Sequence, residues 1–178
     1  MANMNWLEYI AFNFYRLFRK LRLRRLIPLG ISTGKFTEYF KGFENVEAVK
    51  GIFGEETGTV LGNLKVEFMG FGGYMGVDDA TGNLIVNPRY LNNGDKVDIY
   101  LDIIHELCHI KQFMEGKELF DSRHAYVDRP TEIEAYRYTV QEAKRLGLSD
   151  ERICNYLKTE WISDSDLKRL TKTLGVNC

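Results

Sequence analysis

The chain has 178 residues and a formal net charge of −1, with 44% hydrophobic and 28% charged residues. This composition is typical of a globular protein and argues against disorder. The length allows one domain, with or without an appendage. Residues 1–27 contain six basic side chains and one acid, so the remainder is mildly acidic and nucleic acid is not an expected partner.

The cysteines and the N-terminal apolar run bear on where the protein works. Cys108, Cys154 and Cys178 are odd in number and far apart. They predict neither a disulfide framework nor a CxxC metal pair, so a reducing, cytoplasmic setting is expected. The run WLEYIAFNFYRLF is too short to span a bilayer and precedes the arginines, which disfavours a signal peptide.

An N-terminal segment, residues 1–30, is predicted to contain a basic amphipathic helix over residues 4–26. Its apolar positions follow a helical period, and the sequence RKLRLRR covers its second half. Two interpretations stay open. The helix docks on the body with its arginines in water, or it contacts a membrane surface or a protein partner.

Residues 44–89 contain short β-leaning runs separated by glycines: VEAVKGIFG, TVLGNLKVEFMGF and NLIVNP. The sequence DDATGN predicts a turn between two of them. We therefore predict a small, mostly antiparallel sheet of three or four strands. Gly70, Gly72 and Gly73 match no nucleotide-binding loop and predict a bulge or bend near a cleft.

The second half of the chain is predicted to be helical. Asn93 or Asp95 can cap a long helix that ends near Gly116, and a second helix follows at about residues 129–147. Residues 148–178 are predicted to form two more helices, capped by Ser149 and by Ser163 with Asp166. The fold class is therefore α+β, with residues 31–147 as the body.

The stretch DIIHELCHIKQ, residues 102–112, carries the chemistry. His105 and His109 are four residues apart, so they share one face of the predicted helix and both can reach one Zn²⁺. Glu106 lies one step round the helix, where its carboxylate can take a proton from an attacking water. Cys108 is expected to be a core residue.

A catalytic zinc site needs a third protein ligand. At 100° per residue, Glu132 falls in the middle of the apolar arc of its helix, whereas Glu134 falls on the polar face. A carboxylate among apolar side chains must be paired, protonated or metal-bound. Glu132 is therefore the candidate, with His124 and Glu134 as alternatives. Gln112 rules out the metzincin pattern, which requires a glycine at that position.

The motifs HELCH at 105–109 and RPTEIEAY at 129–136 resemble those of the gluzincin metallopeptidases, and most closely the minigluzincins. The resemblance covers about residues 60–147. It implies a peptidase with one catalytic Zn²⁺ held by His105, His109 and Glu132, and with Glu106 as general base. It also implies that an edge strand within 63–87 binds an extended peptide substrate, and that residues 148–178 or the N-terminal helix fill the cleft in a latent form.

Gluzincins usually supply a Tyr, His or Arg that stabilises the oxyanion. His124 and Tyr126 are the first candidates for this role here, and Tyr136 is the next. The alternative to an active peptidase is a latent or regulatory zinc-binding protein. Such a protein would dock on a membrane or on a protein partner through its N-terminal helix.

Overall fold

A computed structural model describes residues 15, 19–23, 32–70 and 73–178. The fold is α+β, as predicted. Its helices are α1 (Phe36–Tyr39), α2 (Glu47–Phe53), α3 (Thr57–Asn63), α4 (Pro88–Asn93), α5 (Lys96–Met114), α6 (Pro130–Arg145), α7 (Asp150–Leu157) and α8 (Asp164–Leu174). Its strands are β1 (Arg22–Leu23), β2 (Ser32–Lys35), β3 (Phe40–Lys41), β4 (Lys65–Phe68), β5 (Met75–Val77) and β6 (Leu84–Val86).

The main sheet has the strand order β2–β4–β6–β5. Its two outer pairs are antiparallel and its central β4–β6 pair is parallel, so the prediction of a mostly antiparallel sheet is confirmed. The Asp78 carboxylate accepts hydrogen bonds from the backbone of Ala80 and Thr81, which forms the predicted turn between β5 and β6. Strand β5 is an edge of this sheet and packs against α5.

The run VEAVKGIFG is helical, so this part of the prediction is wrong, and TVLGNLKVEFMGF begins in α3 but contains strand β4. Val49, Ile52 and Phe53 are buried in α2, at the i, i+3, i+4 spacing of a helix face. This period outweighs the β propensity of the branched side chains, because it lets one face of the segment enter the core. The fourth strand of the sheet, β2, lies before the segment in which strands were predicted.

Most of the predicted N-terminal helix lies outside the described residues. Tyr15, Arg19 and Lys20 are helical, but Arg22 and Leu23 form β1, which pairs with β3. The predicted helix over residues 4–26 is therefore wrong at its C-terminal end. In the part of the chain that the structure describes, no helix combines the length and hydropathy needed to cross a membrane.

Helices α5 and α6 pack against each other at the centre of the molecule. The Asp95 side chain accepts two backbone N–H bonds in the first turn of α5, which decides between the two predicted caps. Pro130 opens α6 at a position where its missing N–H costs nothing. The Tyr100 hydroxyl donates to the buried Glu142 carboxylate at 2.6 Å, which joins the two helices.

Helices α7 and α8 form as predicted, with Ser149 and Ser163 at their N-caps. Ile153, Leu157 and Leu170 from these helices are buried in the same hydrophobic core as α5 and α6. Residues 148–178 are thus part of the packed body of the protein.

The expectation about the cysteines is wrong, because Cys154 and Cys178 form a disulfide that ties α7 to the C-terminal residue. Their Cα atoms are 5.8 Å apart, within the range that a disulfide bridges. Residue spacing could not reveal this approach, since it depends on how α8 folds back onto α7. Cys108 is buried and free, as predicted. The cysteine pattern therefore no longer argues for a reducing, cytoplasmic setting.

Candidate metal site and cleft

Helix α5 places His105 and His109 on one face, one turn apart. Both residues are buried, with 6% and 7% of their surface exposed. Their Nε2 atoms are 3.0 Å apart, and their rings meet nearly edge-on with centroids separated by 4.7 Å. The pair is therefore aligned so that both Nε2 atoms point to the same position.

Glu132, in the first turn of α6, completes the group. Its Oε2 atom lies 3.2 Å from Nε2 of His105 and 3.5 Å from Nε2 of His109. Two ligands bound about 2.05 Å from one tetrahedral zinc ion lie roughly 3.3 Å apart, and the three separations scatter around this value. The buried group of His105, His109 and Glu132 could therefore hold a metal ion.

The fully buried amide of Gln112 sets the tautomer of His109. Its Oε1 atom can only accept, so Nδ1 of His109 carries the proton in their 2.7 Å hydrogen bond. The Nε2 atom of a neutral His109 then has its lone pair free for a ligand bond. The Gln112 amide nitrogen donates to the Thr131 carbonyl at 2.9 Å and to the Glu134 carboxylate at 3.0 Å, which fixes the orientation of the amide.

His105 is held differently. Its Nδ1 atom is buried and makes no hydrogen bond to the described residues. The Tyr136 ring packs on the imidazole, with centroids 4.4 Å apart. Packing and the contact to Glu132 therefore orient this ring, in place of a second hydrogen-bond partner.

Burial and mutual contacts shift the pKa values of all three side chains. Burial raises the pKa of Glu132, but hydrogen bonds with His105 and His109 outweigh burial and hold the pKa well below its usual range. Burial lowers the pKa of His109, yet the hydrogen bond with Glu132 and the charge of Glu106 raise it to about 9. The pKa of His105 is lowered, mainly by burial. Donors of this kind bind a divalent ion in competition with protons.

A cleft of about 350 Å³ opens onto this group. Glu106 is buried, lines the same cleft beside the two histidines, and has its pKa raised to about 8 by burial. The edge strand β5 forms one wall of the cleft through Met75, Gly76 and Val77. Further lining residues come from the end of α7 and the turn after it: Asn155, Tyr156, Lys158, Thr159 and Trp161.

The candidates for the oxyanion role separate in space. Tyr126 and Tyr136 both line the cleft, and their hydroxyl oxygens are 2.9 Å apart. His124 is not among the lining residues, and its side chain is 44% exposed with Nε2 3.7 Å from Asp121. Glu134, the other alternative ligand, instead accepts hydrogen bonds from Gln112 and Lys117. The structure brings neither alternative ligand, His124 or Glu134, into the buried group.

The sequence analysis did not predict the part of the cleft around Asp102. Asp102 lies one turn before Glu106 on α5 and lines the cleft, and its i, i+4 spacing from Glu106 was a usable signal. Tyr90, Tyr156 and Trp161 also line it. They come from distant segments, so no local sequence pattern indicates their approach.

Comparison of the chain with known protein families, with curated proteins and with solved structures found no match. The resemblance to gluzincins therefore rests on the two short sequence motifs alone. The candidate metal group is independent of that resemblance, since it follows from distances within the structure.

Proposed function

We propose that the protein is a zinc-dependent peptidase in which His105, His109 and Glu132 hold the ion and Glu106 transfers protons. The observation that carries this proposal is the convergence of two Nε2 atoms and one carboxylate oxygen, 3.0 to 3.5 Å apart, at the wall of a cleft. Three protein ligands with an open fourth position are the donor set of catalytic zinc sites.

The reaction follows from the side chains around the group. A zinc ion bound there would polarise a substrate carbonyl and acidify water. Burial raises the pKa of Glu106 to about 8, and the positive charge of a bound ion would lower it again, so that Glu106 is ionised at neutral pH. The Glu106 carboxylate takes a proton from the water as the water oxygen adds to the carbonyl carbon. Glu106 then gives that proton to the amide nitrogen as the C–N bond breaks. The hydroxyl group of Tyr126, or that of Tyr136, donates a hydrogen bond to the oxyanion that develops.

The edge strand beside the cleft supports a peptide substrate. Strand β5 pairs only with β6 among the described strands, and its residues Met75–Val77 line the cleft. An extended peptide can add to such an edge through backbone hydrogen bonds. This pairing would lay the peptide along the cleft, so that one of its carbonyls faces the metal group.

The first experiment measures metal content. Purified protein should contain one zinc per chain by elemental analysis, and His105→Ala or Glu132→Ala should remove it. Glu106→Gln should keep the zinc, because Glu106 is not a ligand. The matched control is His124→Ala, which removes the exposed histidine and should also keep it. Protein that stays metal-free with zinc supplied would rule out the proposal.

The second experiment measures cleavage of unfolded casein. Zinc-loaded wild-type protein should cleave it, and Glu106→Gln should lower the rate by at least about a hundredfold. Bound zinc with no cleavage by the wild type would instead support the latent or regulatory zinc-binding protein.

The cytoplasmic location and the membrane or partner role of residues 4–26 stay predictions. If deletion of residues 1–27 abolished binding to anionic vesicles, this result would support the membrane role of residues 4–26.

A further inference from the structure

Around Asp102, one helical turn before the metal group, one end of the cleft is lined by aromatic rings. The Tyr74 ring lies 4.5 Å from Tyr90 and 5.5 Å from Trp161, measured between centroids. Tyr156 lines the same end. Aromatic faces attract cations through their quadrupole, and several rings around one space strengthen this attraction. The arrangement therefore favours a positively charged ligand group over a neutral polar one.

A carboxylate lies among these rings. Asp102 accepts a hydrogen bond from Tyr156 at 2.8 Å through Oδ1 and another from Tyr90 through Oδ2. Among the described residues, no Lys, Arg or His lies within ion-pair distance of it. Burial raises the pKa of Asp102 to about 6, so the group is mainly ionised at neutral pH. A desolvated anion without a cation is costly, and a cationic ligand would relieve that cost.

Two basic side chains, from α7 and from the residue after it, are paired with carboxylates other than Asp102. Arg152 binds Asp95 and Asp98, and Lys158 lies 3.2 Å from Asp164 with 60% of its side chain exposed. Thr159 adds a polar group to the cleft, because its Oγ1 atom is buried and has no hydrogen-bond partner in the described part of the chain. The cleft thus offers the Asp102 carboxylate and the Thr159 hydroxyl, and its lining residue Lys158 is paired with Asp164.

We propose that this aromatic end of the cleft binds the guanidinium or ammonium group of a basic side chain in the peptide substrate. The inference rests on the proposed peptidase function and names its substrate class. Asp102 lies one turn before His105 and Glu106 on α5, roughly 5 Å along the helix axis. A Lys or Arg side chain can span that distance, so the basic residue lies next to the bond that is cut.

A structural role for Asp102 is the competing explanation. Its two hydrogen bonds join α4 and α7 to α5, and they would stabilise the fold even if no ligand entered the cleft. The two roles differ in one measurable respect. A purely structural carboxylate gives no preference for a cationic ligand over a neutral ligand of the same shape.

The test is calorimetric binding of acetylarginine amide, with acetylcitrulline amide as the neutral ligand of nearly the same shape. We expect the arginine compound to bind at least about tenfold more tightly. Asp102→Asn should abolish this difference, whereas Asp79→Asn, which removes an exposed carboxylate of the β5–β6 turn, should preserve it. Equal binding of the two compounds, or a difference that survives Asp102→Asn, would overturn the proposal.

Trp161→Leu provides a second variant in case Asp102→Asn does not fold. Trp161 is 52% exposed, so its replacement leaves the core intact. It should weaken arginine binding several-fold and leave citrulline binding nearly unchanged. An equal effect on both compounds would contradict the aromatic contribution.

Binding is measured both on zinc-loaded protein and after zinc is removed with a chelator, so that the outcome does not depend on catalysis. Arginine selectivity in the chelated protein supports the subsite even if the peptidase proposal fails. Cleavage of casein without any arginine selectivity would support the peptidase and reject the subsite.

Discussion

Gln112 accepts a hydrogen bond from Nδ1 of His109 at 2.7 Å, and the same amide donates to the backbone of α6 at Thr131. One side chain therefore fixes the tautomer of one candidate ligand and the position of the helix that supplies another. Glu132, the third member of the group, is the next residue after Thr131.

Gln112→Ala should weaken zinc binding by about tenfold to a hundredfold, the usual cost of losing the partner of a ligand histidine. The affinity is measured by competition with a chromophoric chelator. Gln112→Glu keeps an acceptor for Nδ1 of His109, but it places a second carboxylate next to that of Glu134, which accepts from the Gln112 amide in the wild type. This variant should lower the Tm while keeping zinc affinity within about threefold of wild type. If both variants lost zinc affinity equally, the hydrogen bond between Gln112 and His109 would not be the cause of the loss.

Tyr126→Phe should lower kcat of the proposed peptidase by about a hundredfold and leave KM and zinc content nearly unchanged, because an oxyanion donor acts in the transition state. His124→Ala is the matched comparison and should retain nearly full activity, since His124 does not line the cleft. If activity fell in His124→Ala but survived in Tyr126→Phe, His124 and not Tyr126 would be the oxyanion donor. Tyr136→Phe tests the remaining candidate by the same assay.

Binding of acetylarginine amide should weaken as the pH falls below about 6. Burial raises the pKa of Asp102 to about 6, although hydrogen bonds from Tyr90 and Tyr156 oppose this. The carboxylate is therefore charged above this pH and neutral below it, so attraction for a cation is present above it and lost below it. Asp98, one turn earlier on α5, also faces this end of the cleft but is paired with Arg152.

Titration calorimetry between about pH 5 and about pH 8 measures this effect, with acetylcitrulline amide as the control that should show no such change. In Asp102→Asn the arginine compound should bind equally weakly across the range. A wild-type affinity for acetylarginine amide that does not change through about pH 6 would contradict the role of Asp102 as the charged partner of the ligand.

Reduction of the Cys154–Cys178 disulfide should lower stability. The bond closes a loop with a sequence separation of 24, and the loss of chain entropy in the unfolded state corresponds to about 3 kcal/mol. For a chain of this size we expect the Tm to fall by roughly 6 to 12 °C on reduction. Differential scanning calorimetry with and without a reductant measures it. The double variant Cys154→Ser, Cys178→Ser should melt at the lower temperature in both conditions, and a wild type insensitive to reductant would contradict the bond.

The local patterns of α5 and α6 explain why most of the metal group was predictable. Histidines four residues apart share a face on any helix, and the apolar arc of α6 identified Glu132 as a buried carboxylate. The same helical arc predicted a solvated Glu134, but the segment after α5 brings Lys117 back over it. In α2 the helical spacing of the buried residues outweighs the β propensity of single residues, and the strand predicted there is wrong.

The sequence by itself determined which residues share a helix face and that Glu132 is buried, because both follow from a repeat of 3.6 residues within one segment. Only the tertiary structure decided the contacts between segments: Gln112 with Thr131, Tyr156 with Asp102, and Cys154 with Cys178. Tyr156 and Asp102 are 54 residues apart in the chain. Their contact depends on how whole helices pack in a common core, and no local pattern records that packing.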